Sequence, residues 1–82
     1  MKSYKKTATI AVFGLGRIGL PLALSLADKN FTVYGVERSK VKNKFLLRGE
    51  MPFEEPGAEE LLKKNIGKNF NPSALRCEFD RI

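Results

Sequence analysis

The amino-acid sequence predicts an α/β fold, with a parallel sheet of three strands in the order 3-2-1 and helices flanking it. Short apolar segments rich in β-branched residues alternate with longer segments whose apolar residues recur every three or four positions. Glycine and proline separate these segments, as they do where strands and helices connect. Alternation of this kind is typical of parallel sheets with right-handed crossover connections.

Length and composition fit one small domain. The chain has 82 residues, of which 43% are hydrophobic, and this fraction is ordinary for a globular protein. A domain of this size buries only a modest core. We therefore expect a fragment, or a domain that is completed by further sequence.

The formal net charge of +6 comes from basic residues scattered along the chain. No RNA-reading motif and no interleaved aromatic residues accompany them, so solvated helix faces are favoured over a nucleic-acid surface. Three glycines, Arg17 and Pro21 interrupt the apolar run from Thr7 to Ala27, which argues against a signal peptide or a membrane helix. Charge and hydropathy therefore indicate neither nucleic-acid nor membrane binding.

Cysteine and histidine usage limits the chemistry. Cys77 is the single cysteine and there is no histidine, so an internal disulfide is impossible and a structural zinc site is disfavoured. This usage fits a reducing cytoplasm. Without a histidine base, Cys77 is better explained as a small core residue than as a nucleophile.

The first strand and helix are the most clearly marked elements. Thr7 to Phe13 is short and nearly continuous in apolar character, as in a central parallel strand buried on both faces. The segment from Ile18 to Lys29 has helical periodicity, and Pro21 falls in its first turn, where a missing N–H is tolerated.

Later elements are predicted from similar patterns and from capping residues. In chain order they are a strand from Phe31 to Val36, a helix capped by Ser39 and running to about Arg48, a helix from about Gly57 to Asn65, a turn from Asn69 to Ser73, and a third strand from Leu75 to Phe79.

A glycine motif joins the first strand to the first helix. Gly14, Gly16 and Gly19 form GLGRIG, and in this position the pattern is typical of a Rossmann-type dinucleotide-binding domain. The first glycine permits the tight turn, the second lets the pyrophosphate approach the backbone, and the third allows close packing of helix and strand.

The backbone of this turn is the predicted site for the pyrophosphate of NAD. The amides of Arg17 and Ile18 are expected to face the phosphates at the positive end of the helix. The Arg17 guanidinium is a candidate for a further phosphate contact, with a merely solvated position as the alternative. The predicted site in the turn comprises Gly14, Leu15, Gly16, Arg17, Ile18 and Gly19.

An acidic residue is expected about 20 positions after the turn, and Glu37 lies there, after the second strand. Its carboxylate can accept hydrogen bonds from the adenosine ribose and would repel a 2′-phosphate, which favours NAD over NADP. Arg38 beside it can pair with that phosphate, so NADP stays open. Lys42 is a second cation expected near phosphate or adenine. The alternative is an ordinary strand-to-helix turn with an incidental glutamate.

The stretch from Thr9 to Lys64 resembles the N-terminal domain of the UDP-glucose/GDP-mannose dehydrogenase family. The segments that carry the resemblance are IAVFGLGRIGLPLALSLA, FTVYGVERSKV and LLRGEMPFEEPGAEELLKK, with a weak extension through LRCEFD. GLGRIGLP resembles the family's glycine turn with the leucine and proline that follow it. RGEMPFEEPG resembles the loop before the third helix.

The resemblance implies an enzymatic activity and roles for residues of the cofactor site. Such enzymes oxidise the C6 hydroxyl of a nucleotide sugar to a carboxylate in two NAD-dependent steps. The three glycines match the cofactor turn, Glu37 matches a ribose-binding acid that is usually Asp, and Lys42 matches a basic residue that can reach the cofactor. Arg17 stands where the family often has an aromatic residue.

The resemblance also concerns the catalytic residues of the family. The family's catalytic cysteine, lysine and asparagine fall beyond this chain's length, and Cys77 matches none of them. Residues 1–82 are thus expected to form the N-terminal part of the NAD-binding domain, without the substrate and dimerisation domains and without activity. We also expect the chain to self-associate through the exposed first strand.

A second resemblance belongs to another functional class. GLGRIG is also similar to the turn of regulatory nucleotide-binding domains of potassium channels and transporters, which switch a partner and catalyse nothing. The block RGEMPFEEPG distinguishes the two, because those regulatory domains lack it.

Overall fold

The computed structural model describes residues 9–73, which form one parallel sheet with helices packed beside it. This arrangement confirms the α/β fold. The predicted strand from Leu75 to Phe79 lies outside the described residues, as does Cys77. The elements are β1 (Thr9–Phe13), α1 (Gly19–Asp28), β2 (Thr32–Val36), α2 (Lys40–Leu47), α3 (Ala58–Asn65) and β3 (Phe70–Ser73).

The sheet has the order β1-β2-β3, and both pairings are parallel. Thr9 lies opposite Thr32 in the first pair, and Val33 lies opposite Phe70 in the second. These are the strand neighbours of the predicted order 3-2-1, read from the other edge. β2 is therefore the central strand of the described sheet, and β1 is an edge strand.

The segment from Asn69 to Ser73 was predicted to be a turn, and this prediction is wrong. Its last four residues form β3, with the Asn69 carbonyl accepting from the Val33 amide at 2.7 Å and the Ser73 carbonyl accepting from the Glu37 amide at 2.9 Å. Positions 69 and 73 thus face β2, and the strand alternation directs Pro72 to the outer edge. A proline is tolerated there because, within the three described strands, no ladder hydrogen bond needs its missing N–H.

Helix boundaries lie close to the predicted ones and have identifiable causes. The Ser39 hydroxyl accepts a hydrogen bond from the Lys42 amide at 3.2 Å, so Ser39 is the N-cap of α2 as predicted. α3 has Glu59 and Glu60 in its first turn and basic residues in its last turn, which complements the helix dipole. Between residues 9 and 73, no helix combines the length and apolar character needed to cross a bilayer.

The core lies between the sheet and the helices, and it anchors the start of α1. Helix α1 contacts α3 and β2, and an ion pair of 3.0 Å between Lys64 and Asp28 joins the two helices. Fully burying a leucine contributes about 1.5–3 kcal/mol, so the helix is held firmly against the sheet. The largest fully buried side chains are Phe70, Leu15, Leu20, Leu24, Leu46, Leu62 and Val33.

Candidate NAD-binding site

The candidate site lies where β1 and β2 end and α1 begins. The Gly14 amide donates to the Val36 carbonyl at 2.8 Å, which fixes the ends of the two strands against each other. Gly14 then takes a φ of +86°, a value that L side chains rarely adopt. Helix α1 starts five residues later, with Ile18 as its N-cap. The chain thus reverses direction in the tight turn that the glycine motif predicts.

Gly16 and Gly19 differ in the space that a side chain would have. A Cβ on Gly19 would overlap the carbonyl oxygen of Gly14, so α1 can lie this close to the turn only because residue 19 has no side chain. Apart from its chain neighbours, no atom of residues 9–73 would lie within 4 Å of a Cβ on Gly16. Gly19 is therefore required by the packing of the protein, whereas the surface of Gly16 is open to a ligand.

The amides at the start of α1 are available to an anion. Among the described residues, the N–H groups of Arg17 and Ile18 donate to no protein acceptor. Such amides carry the positive end of the helix dipole and are a common binding site for phosphate groups.

Leu15 anchors the turn and does not line the groove in front of it. Its side chain is fully buried and lies over Gly35 of β2. A Cβ on Gly35 would stand 2.7 Å from Cδ1 of Leu15 and 3.1 Å from Cε1 of Phe70. Leu15 was predicted as part of the cofactor site, but the structure places its side chain in the core beneath that site.

Glu37 connects the end of β2 to the turn. Its Oε1 accepts from the Leu15 amide at 2.8 Å and its Oε2 accepts from the Ser39 amide at 2.9 Å, while only 8% of the residue is exposed. Asn43 holds the backbone by donating from Nδ2 to the Glu37 carbonyl at 2.7 Å. A carboxylate offers about four acceptor positions, so the Leu15 and Ser39 amides do not use all of them and ribose hydroxyls can still bind.

The ionisation of Glu37 follows from these contacts. Burial by itself raises the pKa of the Glu37 carboxyl, but hydrogen bonds from the Ser39, Leu15 and Arg38 amides and the charge of Lys42 outweigh it. The pKa therefore lies below the ordinary value of a glutamate, and the group is a carboxylate at neutral pH.

A groove of about 710 Å³ brings most of the predicted site together. Arg38 is exposed and does not line it, so of the predicted residues only Arg38 and Leu15 stand apart. Val12, Phe13 and Leu22 add an apolar rim that the sequence analysis did not include. The predicted residues that line the groove are Gly14, Gly16, Arg17, Ile18, Gly19, Glu37 and Lys42.

Phe53 is a further residue that the sequence analysis missed. The Arg17 guanidinium carbon lies 5.0 Å from the centroid of the Phe53 ring. The resemblance in RGEMPFEEPG pointed to this loop, but no feature of the sequence joined it to the glycine turn. Within residues 9–73, His, Cys, Asp and Glu side chains form no group of three or more that could hold a metal ion.

This chain is similar to known proteins in both sequence and fold. The sequence profile of the UDP-glucose/GDP-mannose dehydrogenase family, NAD binding domain, matches residues 8–78. The chain is 43% identical over 68 residues to UDP-N-acetyl-D-mannosamine dehydrogenase of Methanococcus vannielii, a match that covers 82% of this chain and 16% of that enzyme.

Two solved structures extend the comparison. A ternary complex of GDP-mannose dehydrogenase from Pseudomonas aeruginosa superposes with a TM-score of 0.73 and 32% identity, covering 79% of this chain and 15% of that one. A UDP-glucose dehydrogenase from Pyrobaculum islandicum gives a TM-score of 0.84 over 95% of this chain and 18% of that one, and at 24% identity it supports the fold alone.

The family match spans residues 8–78 and therefore includes the block RGEMPFEEPG, the feature expected to distinguish the dehydrogenase family. It therefore confirms the dehydrogenase interpretation over the regulatory alternative. The chain spans about one sixth of the Methanococcus enzyme and of the Pseudomonas structure. This chain belongs to the UDP-glucose/GDP-mannose dehydrogenase family and carries its NAD-binding domain, with NAD as the cofactor.

Proposed function

We propose that the chain is the NAD-binding portion of a nucleotide-sugar 6-dehydrogenase, which oxidises the C6 hydroxyl of the sugar to a carboxylate, and that it is not catalytic by itself. The observation that carries this proposal is the groove at the glycine turn. It places the open backbone of Gly16, the start of α1 and the Glu37 carboxylate along one surface.

The cofactor would lie across this groove with its pyrophosphate against Gly16. The amides of Arg17 and Ile18 would donate to the phosphate oxygens, because they have no acceptor within residues 9–73. The ribose hydroxyls would bond to the acceptor positions of Glu37 that the Leu15 and Ser39 amides leave open.

Selectivity for NAD over NADP follows from the charge of Glu37. A 2′-phosphate would meet a buried carboxylate that is ionised at neutral pH, and the two charges repel. Arg38 is exposed and outside the groove, so it offers that phosphate little compensation. Tighter binding of NADP than of NAD would show that Arg38, and not Glu37, determines the preference.

The chain is inactive in this proposal because it lacks groups for the reaction. Oxidation of the C6 hydroxyl needs residues that hold the sugar and take up its proton. The one carboxylate of the groove already accepts two backbone amides, and residues 9–73 contain neither histidine nor cysteine. Cys77 would have to act without a histidine base.

NMR titration of the 82-residue chain tests the proposal directly. NAD is expected to shift the amide resonances from Gly14 to Gly19 and that of Glu37, with weak affinity because the 82 residues match only about one sixth of the relatives' length. Changes confined to other regions would contradict the assignment. No NADH should form when UDP-glucose is added, and NADH production that survives repurification and is lost in Cys77→Ser would contradict the inactivity.

Partners and location belong to the same proposal. NAD is the ligand of this chain, and a nucleotide sugar would bind only in an enzyme that also has the substrate domain. We place the protein in the cytoplasm, because its single cysteine and NAD chemistry suit a reducing compartment. Self-association of the chain through the first strand is part of the same proposal.

A further inference from the structure

The loop before α3 reaches the glycine turn through Arg17. The guanidinium carbon of Arg17 stands 5.0 Å from the centroid of the Phe53 ring, which is within the range of a cation–π contact. The ion pairs of the described residues involve other cations, so no carboxylate within residues 9–73 holds Arg17. The aromatic ring is thus the partner that the structure gives to this charge.

This contact leaves the hydrogen-bonding groups of Arg17 available. Within residues 9–73 the guanidinium donates no hydrogen bond to a protein acceptor, so its five N–H donors stay open to a ligand. Arg17 lines the groove together with Gly16 and Glu37. An arginine held in this way can meet a diphosphate through a charge-assisted, bidentate hydrogen bond.

The ring also reduces the side-chain entropy that Arg17 loses when a ligand binds. A free, exposed arginine loses considerable rotamer entropy when a ligand immobilises it. If Phe53 restrains the side chain before the ligand arrives, less entropy is lost on binding, and the affinity rises without any new contact to the ligand.

We propose that Phe53 is a positioning residue, which holds the Arg17 guanidinium at the edge of the groove to bind the diphosphate of NAD. The inference rests on the proposed function, since it assumes that NAD occupies the groove. Phe53 acts through Arg17 and need not contact the cofactor. A nucleotide sugar also carries a diphosphate, so the test must distinguish binding of NAD from binding of a nucleotide sugar.

The experiment is a double-mutant cycle on the 82-residue chain, with affinities for NAD, adenosine and UDP measured by NMR titration. Phe53→Leu is expected to weaken NAD binding about two- to fivefold, the range of an exposed cation–π contact. Adenosine binding should not change, because adenosine has no phosphate. Phe53→Tyr keeps the ring and should retain the affinity. In an Arg17→Ala background, Phe53→Leu should cause no further loss.

Each contrary result has a distinct meaning. Equal weakening by Phe53→Leu with and without Arg17, or equal weakening for adenosine, would overturn the role, because Phe53 would then act through loop packing. An unchanged NAD affinity in a folded Phe53→Leu variant would also overturn it. A loss for UDP alone would overturn the assignment to NAD. Absence of NAD binding by the unaltered chain would remove the proposed function and this role together.

A second measurement covers the case in which Phe53→Leu does not fold. The side-chain Nε–H resonance of Arg17 can be followed in the unaltered chain. We expect nuclear Overhauser contacts from Arg17 to the Phe53 ring before ligand is added, and a shift of the Nε–H resonance with NAD but not with adenosine. Absence of the contacts, or an equal shift with both ligands, would overturn the proposal.

Discussion

Gly16 and Gly19 are the same residue type in the same turn, yet they are glycines for different reasons. The neighbours of Gly19 belong to the protein, and the carbonyl of Gly14 occupies the space that a side chain would need. Around a Cβ on Gly16, the part of the chain that the structure describes has no atom within 4 Å other than those of the neighbouring residues. Folding therefore depends on Gly19, and we expect cofactor binding to depend on Gly16.

This difference gives a prediction at the residue scale. Gly16→Val should leave the free energy of unfolding nearly unchanged and abolish NAD binding, because its side chain fills the path of the pyrophosphate. Gly19→Ala should destabilise the fold by about 1–3 kcal/mol or more, as overpacking does. Chemical denaturation and NMR titration of both variants would measure this. Equal NAD-induced shifts in wild type and Gly16→Val would contradict the role of Gly16.

Glu37 gives a second residue-scale prediction, on pH dependence. The folded protein lowers the pKa of this carboxyl, so its stabilising contribution is full above the unfolded value of about 4.3 and is lost as pH falls through the lower folded value. Glu37→Gln removes the charge and turns an amide NH₂ toward a backbone N–H donor. We expect a loss of about 1–3 kcal/mol at neutral pH, which becomes smaller below about pH 4.

Urea denaturation of both proteins between neutral and acidic pH would measure this effect. Glu60→Gln is the matched control, because it removes a carboxylate from an exposed position of α3. It should produce no comparable difference in the free energy of unfolding. A stability difference for Glu37→Gln that stays constant down to pH 3 would show that the hydrogen bonds, and not the ionisation of Glu37, carry the effect.

At the scale of the elements, sequence patterns predicted the helix starts that depend on only a few neighbouring residues. Ser39 caps α2, and the glycine motif marks the start of α1, because both signals act within a few residues. β3 was missed because its residues, including Asn71 and Pro72, favour turns. Its position depends on pairing with β2 and on burial of Phe70, and neither is visible in a local window.

The residues of the candidate site also divide into those that the sequence predicts and those that it does not. The glycines and Glu37 could be predicted because motif spacing fixes them relative to the strand and helix. The buried side chain of Leu15 and the approach of Phe53 to Arg17 could not be predicted, since both depend on how distant segments pack. Loop packing of this kind has no periodic signal in the sequence.

The contact between β2 and the turn gives an element-scale prediction. Gly35→Ala would place a methyl group within 3 Å of the Leu15 side chain, at a buried position. Overpacking of this size costs about 1–3 kcal/mol. Because the Leu15 amide also binds Glu37, a displaced Leu15 should shift the turn and weaken NAD binding. Thermal unfolding and NMR titration would test both effects, and unaltered NAD affinity in a destabilised variant would show that core and turn are not coupled.

At the scale of the whole molecule, the described sheet ends at β1. β2 covers one side of this strand, and the strand TIAVF contains no proline and no charge, the usual protections of an edge. Apolar side chains are also exposed at the start of α1, where the N-cap residue Ile18 is 86% and Leu22 is 51% exposed. Exposed apolar surface of this kind favours association with another chain.

We therefore predict that the 82-residue chain associates with copies of itself through the first strand and the adjoining face of α1. Sedimentation velocity over a concentration series should show an average sedimentation coefficient that rises with concentration. Ile10→Lys in the strand and Ile18→Lys at the N-cap of α1 should reduce this association, because burying an unpaired charge at the contact is costly. Val41→Lys is the matched control, since Val41 is 65% exposed on α2 and should not lie in the contact.

A single monomeric species at all concentrations would contradict the prediction. Association that persists unchanged in folded Ile10→Lys and Ile18→Lys variants would place the contact on another surface.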